Sequence, residues 1–162
     1  MTRTKKLVLS AILAAVALGV YVLEAQIPVP VPVPGVKLGL ANIVTLVAMA
    51  LLGRKQAAAI LTVRLLLGSM FAGGFSALLY SVAGGVLAYA VMAALLSAVP
   101  FWAVSVLAAI AHNLGQLALS VIVTGTPSLF WYAPALLLAA ILTGVFTGLV
   151  SQYAIHIARG KL

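Results

Sequence analysis

The chain has no cysteine and no aspartate, and its only acidic residue is Glu24. Without cysteine there are no disulfides, no thiolate metal sites and no cysteine nucleophile. A lone carboxylate also leaves no pair for acid–base chemistry and cannot run a two-metal phosphoryl site. No Gly-Lys-Ser/Thr phosphate loop and no serine-nucleophile motif occurs. His112 has no second histidine or carboxylate nearby at metal-ligand spacing, so no metal site is expected. Nothing in the chain calls for a cofactor. No internal repeat points to an inverted-repeat transporter.

Hydrocarbon fills the space that these absences leave. Over 162 residues the hydrophobic content is 65%, charged residues make up 6%, and the mean hydropathy is +1.31. One soluble core could not bury that much apolar side chain, which places the chain in a bilayer. Apolar runs of spanning length predict an all-α membrane protein, a single bundle of about six transmembrane helices near 7–25, 38–53, 56–72, 76–97, 101–124 and 130–157. The first run could instead be a signal peptide, but Leu23 is bulky where a small residue is wanted before cleavage and the apolar run is long.

Nine Lys and Arg stand against Glu24. In a soluble protein that balance would suggest nucleic acid; here seven of the nine flank hydrophobic runs, and no nucleic-acid partner is needed. Arg3, Lys5, Lys6, Arg54, Lys55, Arg159 and Lys161 fall on one side if there are six crossings, which predicts a multi-pass protein of the cytoplasmic (inner) membrane with both termini inside. Trp131 and Tyr132 at one face and Trp102 at the other fit interfacial aromatic belts.

Two cations stand apart from this pattern. Arg64 lies about eight residues into the third run, roughly 12 Å deep, where an arginine costs about 2.5–3.5 kcal/mol to insert. It must face the interior, either as an internal ion pair that locks the bundle or as the receiver of an anionic ligand group. His112, Asn113, Gln116 and Ser120 share one helical face, readable as interhelical glue or as a binding stripe. Asn42 and Thr45 lie one turn apart on the second run. Counting depth brings Glu24, Asn42, Arg64, Asn113 and Gln116 into the same half of the membrane. They predict a polar pocket open to the outside, in which Glu24 restrains Lys37 or Arg64.

Above that pocket runs Pro28, Pro30, Pro32, Pro34 and Gly35, within an outer loop at 26–37. Proline supplies no N–H, so an extended apolar path here leaves few donors unsatisfied. Non-helical backbone near membrane depth must be covered or line a cavity. The segment is expected to be a stiff lid, hinged at Gly35 and Gly39. Ala11 with Ala15, and Gly144 with Gly148, are small-residue pairs that let helices approach closely, and packing within one subunit is the plainer reading of each.

The segments IPVPVPVPGVKLGLANIVTLVAMALLG, VRLLLGSMFAG and AHNLGQLALS resemble the bacterial Gx transporter family, often labelled heptaprenyl diphosphate synthase component I. The likeness runs from about Leu7 to Leu149. In size and span number that family is similar to the substrate-binding S components of energy-coupling-factor transporters, an analogy of architecture. It implies that 28–37 is the lid of an outward-facing site and that Ala11 and Ala15 dock against a coupling subunit. The synthase label does not imply catalysis, because prenyl diphosphate synthases hold magnesium with aspartate-rich motifs and this chain has no aspartate.

The expectation is a non-enzymatic membrane protein that takes up a small anionic solute, such as a quinone, isoprenoid or vitamin-like precursor, with an ATP-hydrolysing partner module and its transmembrane subunit. Arg64 would pair with the anionic group, Asn42, His112, Asn113 and Gln116 would line the site, and Lys37 would attract the ligand from the lid. The alternative is a non-catalytic membrane subunit of heptaprenyl diphosphate or menaquinone side-chain synthesis. A passive channel would need polar stripes reaching both faces, whereas the cytoplasmic halves of most spans are apolar.

Overall fold

A computed structural model describes residues 1–27, 33, 37–72 and 74–160. Among these residues the fold is entirely helical, with six α-helices and one 3₁₀ turn. They are α1 (Arg3–Glu24), α2 (Asn42–Leu52), α3 (Arg54–Ala72), α4 (Gly74–Leu95), α5 (Phe101–Thr124) and α6 (Ala133–Arg159), with the 3₁₀ turn over Pro127–Tyr132. The breaks follow local chemistry. Thr2 caps α1 by accepting the Lys5 N–H at 3.3 Å. Gly53, at φ 93°, separates α2 from α3 by one residue, and Gly125 closes α5 at φ 63°, conformations in which a Cβ is disfavoured.

Four helical stretches are long and apolar enough to cross a membrane: Arg3–Glu24, Gly74–Leu95, Phe101–Thr124 and Pro127–Arg159. The remaining two differ from simple spans. Helix α3 carries Arg54, Lys55 and Arg64. Helix α2 is helical only from Asn42 rather than from the expected Leu38, and its 11 residues reach about 16 Å, roughly half the hydrocarbon thickness. It can be short because it is enclosed. Eight of its residues are buried, and it touches each of the other five α-helices.

Helix α5 packs most extensively on α6 and α4. The glycine pair on α6 sets the first of these contacts. A Cβ on Gly144 would stand 2.6 Å from Val106 Cα, and one on Gly148 would stand 2.6 Å from Trp102 Cα. The pair is therefore spent on packing inside the subunit. Ser105 and Thr147 add a hydroxyl bond of 2.7 Å across the same interface.

Two apolar layers result. One joins Leu46, Met49, Leu52, Ile60, Met92 and Val104 at the Arg54 end of the bundle. The other joins Leu117 and Leu136 to Val33, the one described residue of the Pro-Val stretch. The lid positions Pro28, Pro30, Pro32, Pro34 and Gly35 lie outside the described residues.

Because the obstacle at Gly144 is backbone, Gly144→Ala is expected to lower stability by about 1–3 kcal/mol. A Cβ at Gly19 meets nothing within 4 Å, so Gly19→Ala should leave stability unchanged or raise it. Thermal unfolding in detergent of the two variants beside the parent checks both.

Candidate functional site

Between the two apolar layers sits a polar one, organised by Glu24 at the end of α1. Its carboxylate accepts the Gly39 N–H and, at 3.4 Å, the Ala41 N–H. Those donors belong to the approach to α2, which Gly39 turns at φ 79°. An oxyanion here serves as the anchor that the first turn of α2 lacks, since no side chain caps Asn42. Glu24 was expected to restrain Lys37 or Arg64. Its oxygens are committed to backbone amides instead, and among the described residues neither cation forms an ion pair.

Tyr21, one turn before Glu24 on the same face of α1, supplies the second organising surface. Its ring lies against Gly68 of α3, where a Cβ would come within 2.7 Å of the ring carbons, and its hydroxyl bonds to Ser81 of α4 at 3.0 Å. Lys37 Nζ rests 3.7 Å from the ring centroid, and Arg64 Cζ lies 5.9 Å from it. Two cations thus approach one ring, an attraction of about 0.5–2 kcal/mol for a well-placed contact. Across the site, Gln116 Oε1 accepts the Lys37 backbone N–H at 3.0 Å, fixing the loop to α5.

Tyr21, Glu24, Lys37, Arg64, Ser81, His112 and Gln116, with the Gly39 backbone, line one cavity of about 10 Å³. That is space for about one water. The described residues thus leave no room there for a solute. Arg64 is 2% exposed and Gln116 0%.

The depth count brought together residues that do not all reach this cavity. Asn42 and Asn113 are buried beside it but do not line it. Asn113 Nδ2 donates to the Leu136 carbonyl at 3.0 Å, an interhelical tie. Ser120 is buried. Reading the sequence missed Tyr21 and Ser81; the i, i+3 spacing of Tyr21 to Glu24 was the available signal for the first, and a mid-helix serine gave little signal for the second.

The polar layer is unevenly satisfied. Lys37 Nζ, Arg64 Nε and Gln116 Nε2 line the cavity without a hydrogen-bond acceptor, and Asn42 Nδ2 lacks one alongside. On the acceptor side, Asn113 Oδ1 is unpaired. Buried donors are almost always paired in folded proteins, and leaving one unmade costs about 1–3 kcal/mol. His112 Nδ1, also in the cavity wall, is unpaired as well.

On the outside of the bundle, Ala11 and Ala15 are exposed. They face an apolar groove of about 480 Å³ between α1 and α3, walled also by Ala14, Leu18, Ile60 and Val63.

A family model described as heptaprenyl diphosphate synthase component I matches residues 13–154. The chain belongs to that family. The matched range contains Tyr21, Glu24, Lys37, Arg64, Ser81, His112 and Gln116. No curated protein and no solved structure matches it.

If the Glu24 carboxylate anchors the approach to α2, Glu24→Gln replaces one acceptor oxygen by a donor facing an N–H. The expected loss is about 1.5–3 kcal/mol, with faster amide exchange at Gly39 and Ala41. Hydrogen-exchange mass spectrometry over 37–52 reads it out, and unchanged exchange there would remove the anchoring role.

Proposed function

We propose that this protein is a membrane-embedded binding component that takes a small organic anion into the layer between Tyr21, Lys37, Arg64, His112 and Gln116, as part of uptake driven by a separate ATP-hydrolysing module. The observation that carries the reading is the surplus of buried donors around an unpaired arginine. Two formal positive charges meet one negative charge whose oxygens are already engaged. A carboxylate or phosphate would satisfy the orphaned donors at once, through charge-assisted bonds about twice as strong as neutral ones. Asn42 and Asn113 support the walls of the site.

Binding in this reading requires the cavity to widen. A solute many times larger than 10 Å³ enters only if the loop carrying Lys37 moves away from Gln116 and Tyr21. Among the described residues the contacts to be broken include the bond of the Lys37 N–H to Gln116, the Lys37 contact on the Tyr21 ring and the packing of Val33 against Leu117 and Leu136, and ligand binding would have to offset them. Pro28 to Lys37 would be the lid. The outer side of the membrane would be the entry side, with both termini in the cytoplasm. No nucleotide-binding motif is present in the sequence, which is why the energy would come from a partner. The groove beside Ala11 and Ala15 is the surface on which an energy-coupling transmembrane subunit would dock.

The family's description favours a second reading, in which the chain is a non-catalytic membrane subunit that accompanies prenyl diphosphate synthesis. The two readings separate on partners. Purification from native membranes with mass spectrometry of proteins and small molecules should recover an ATPase under the first reading and a soluble prenyltransferase subunit under the second.

Arg64 decides the site itself. Arg64→Gln keeps a buried amide but removes the charge, and is expected to lower retention of the co-purifying anion by at least tenfold. That corresponds to about 1.4 kcal/mol or more. Full retention with only a lower unfolding temperature would mean that Arg64 holds the bundle together and does nothing else.

A further inference from the structure

At the end of the bundle away from Glu24, basic side chains distant in sequence meet around two adjoining cavities. Arg54, from the start of α3, and Arg159, from the end of α6, both line a cavity of about 210 Å³ together with Ser97 and Phe101. Phe101 and Arg159 also form the wall of a second cavity, of about 400 Å³, which adds His156, Gln152 and Tyr153. The Arg159 guanidinium stands 6.0 Å from the Phe101 ring centroid.

Three features give this place a ligand chemistry. The chain's one acidic side chain is Glu24, committed to the amides of Gly39 and Ala41, so no acidic side chain stands beside Arg54 and Arg159. Helix α5 begins at Phe101, in the wall of both cavities, after Pro100, with no side-chain cap and no acidic residue in its first turn. Its first N–H groups add donors where the helix dipole favours an anion. The second cavity, finally, includes Leu149 and Tyr153, both largely exposed on the outside of α6, so a polar end and an apolar flank are continuous.

We infer that these cavities bind the phosphate group of an anionic amphiphile, with the phosphate held between Arg54 and Arg159 at the start of α5 and the hydrocarbon lying along Leu149 and Tyr153. The site is separate from the polar layer around Arg64 and does not depend on the function proposed for that layer. Basic residues at a membrane surface attract anionic lipid without any shaped site, and a charge-matched control separates that effect from this one.

The test is native mass spectrometry of the detergent-purified protein titrated with phosphatidylglycerol, with phosphatidylcholine as the neutral comparison and sodium phosphate as the tail-free competitor. Arg54→Gln and Arg159→Gln should each weaken phosphatidylglycerol retention about fivefold, the equivalent of roughly 1 kcal/mol per basic residue. Lys6→Gln removes the same charge from the N-terminal end of α1 and should leave retention unchanged. Unfolding temperatures in phosphatidylcholine, equal for all variants, exclude loss by misfolding. Equal loss in Lys6→Gln, no preference over phosphatidylcholine, or full displacement by millimolar phosphate would each overturn the inference.

Discussion

The one acidic side chain in this protein is bonded to the backbone. Glu24 holds the N–H groups of Gly39 and Ala41, and the rest of the polar layer follows from that allocation. Had the same oxygens faced Arg64, the layer would be a closed ion pair, costly to desolvate and finished once formed. Arg64 and Lys37 instead both approach the ring of Tyr21, contacts that soften the cost of burial without cancelling it.

A charge left unbalanced inside hydrocarbon is unstable by itself, so the bundle has to shield it on both sides. The apolar layer around Leu46, Met49 and Met92 closes one side, and the cluster of Val33, Leu117 and Leu136 closes the other. Packing at the glycines of α6 brings α5 close enough for Asn113 and Gln116 to be enclosed with the rest. The polar residues form a layer and not a column, which does not suit a continuous path through the membrane.

Composition made the fold class readable, and depth counting grouped Glu24, Arg64 and Gln116, three of the side chains that line the cavity. Arg64 was legible because an arginine in the middle of an apolar run admits few explanations. Asn42 and Asn113 looked equivalent to Gln116, since helical spacing gives a face but not the orientation of an amide, and in the event Asn113 is turned to the Leu136 carbonyl. Tyr21 escaped notice because an aromatic residue in a greasy helix is ordinary until a cation is found on its ring. The helix start at Asn42 was also out of reach. It depends on a carboxylate fifteen residues away in sequence from Gly39, and such a long-range cap leaves no mark in local propensity.

The shortness of α2 bears on how the protein is made. A helix of 11 residues is too brief to be handed to the bilayer as a span of its own, and its polar start at Asn42 would meet lipid if it were. Its stability comes from the five helices that surround it, three of which are synthesised after α3. Insertion and folding therefore cannot be successive stages for this element: α2 reaches its final depth only as the later helices close around it, and the biogenesis of the chain is cooperative at its centre.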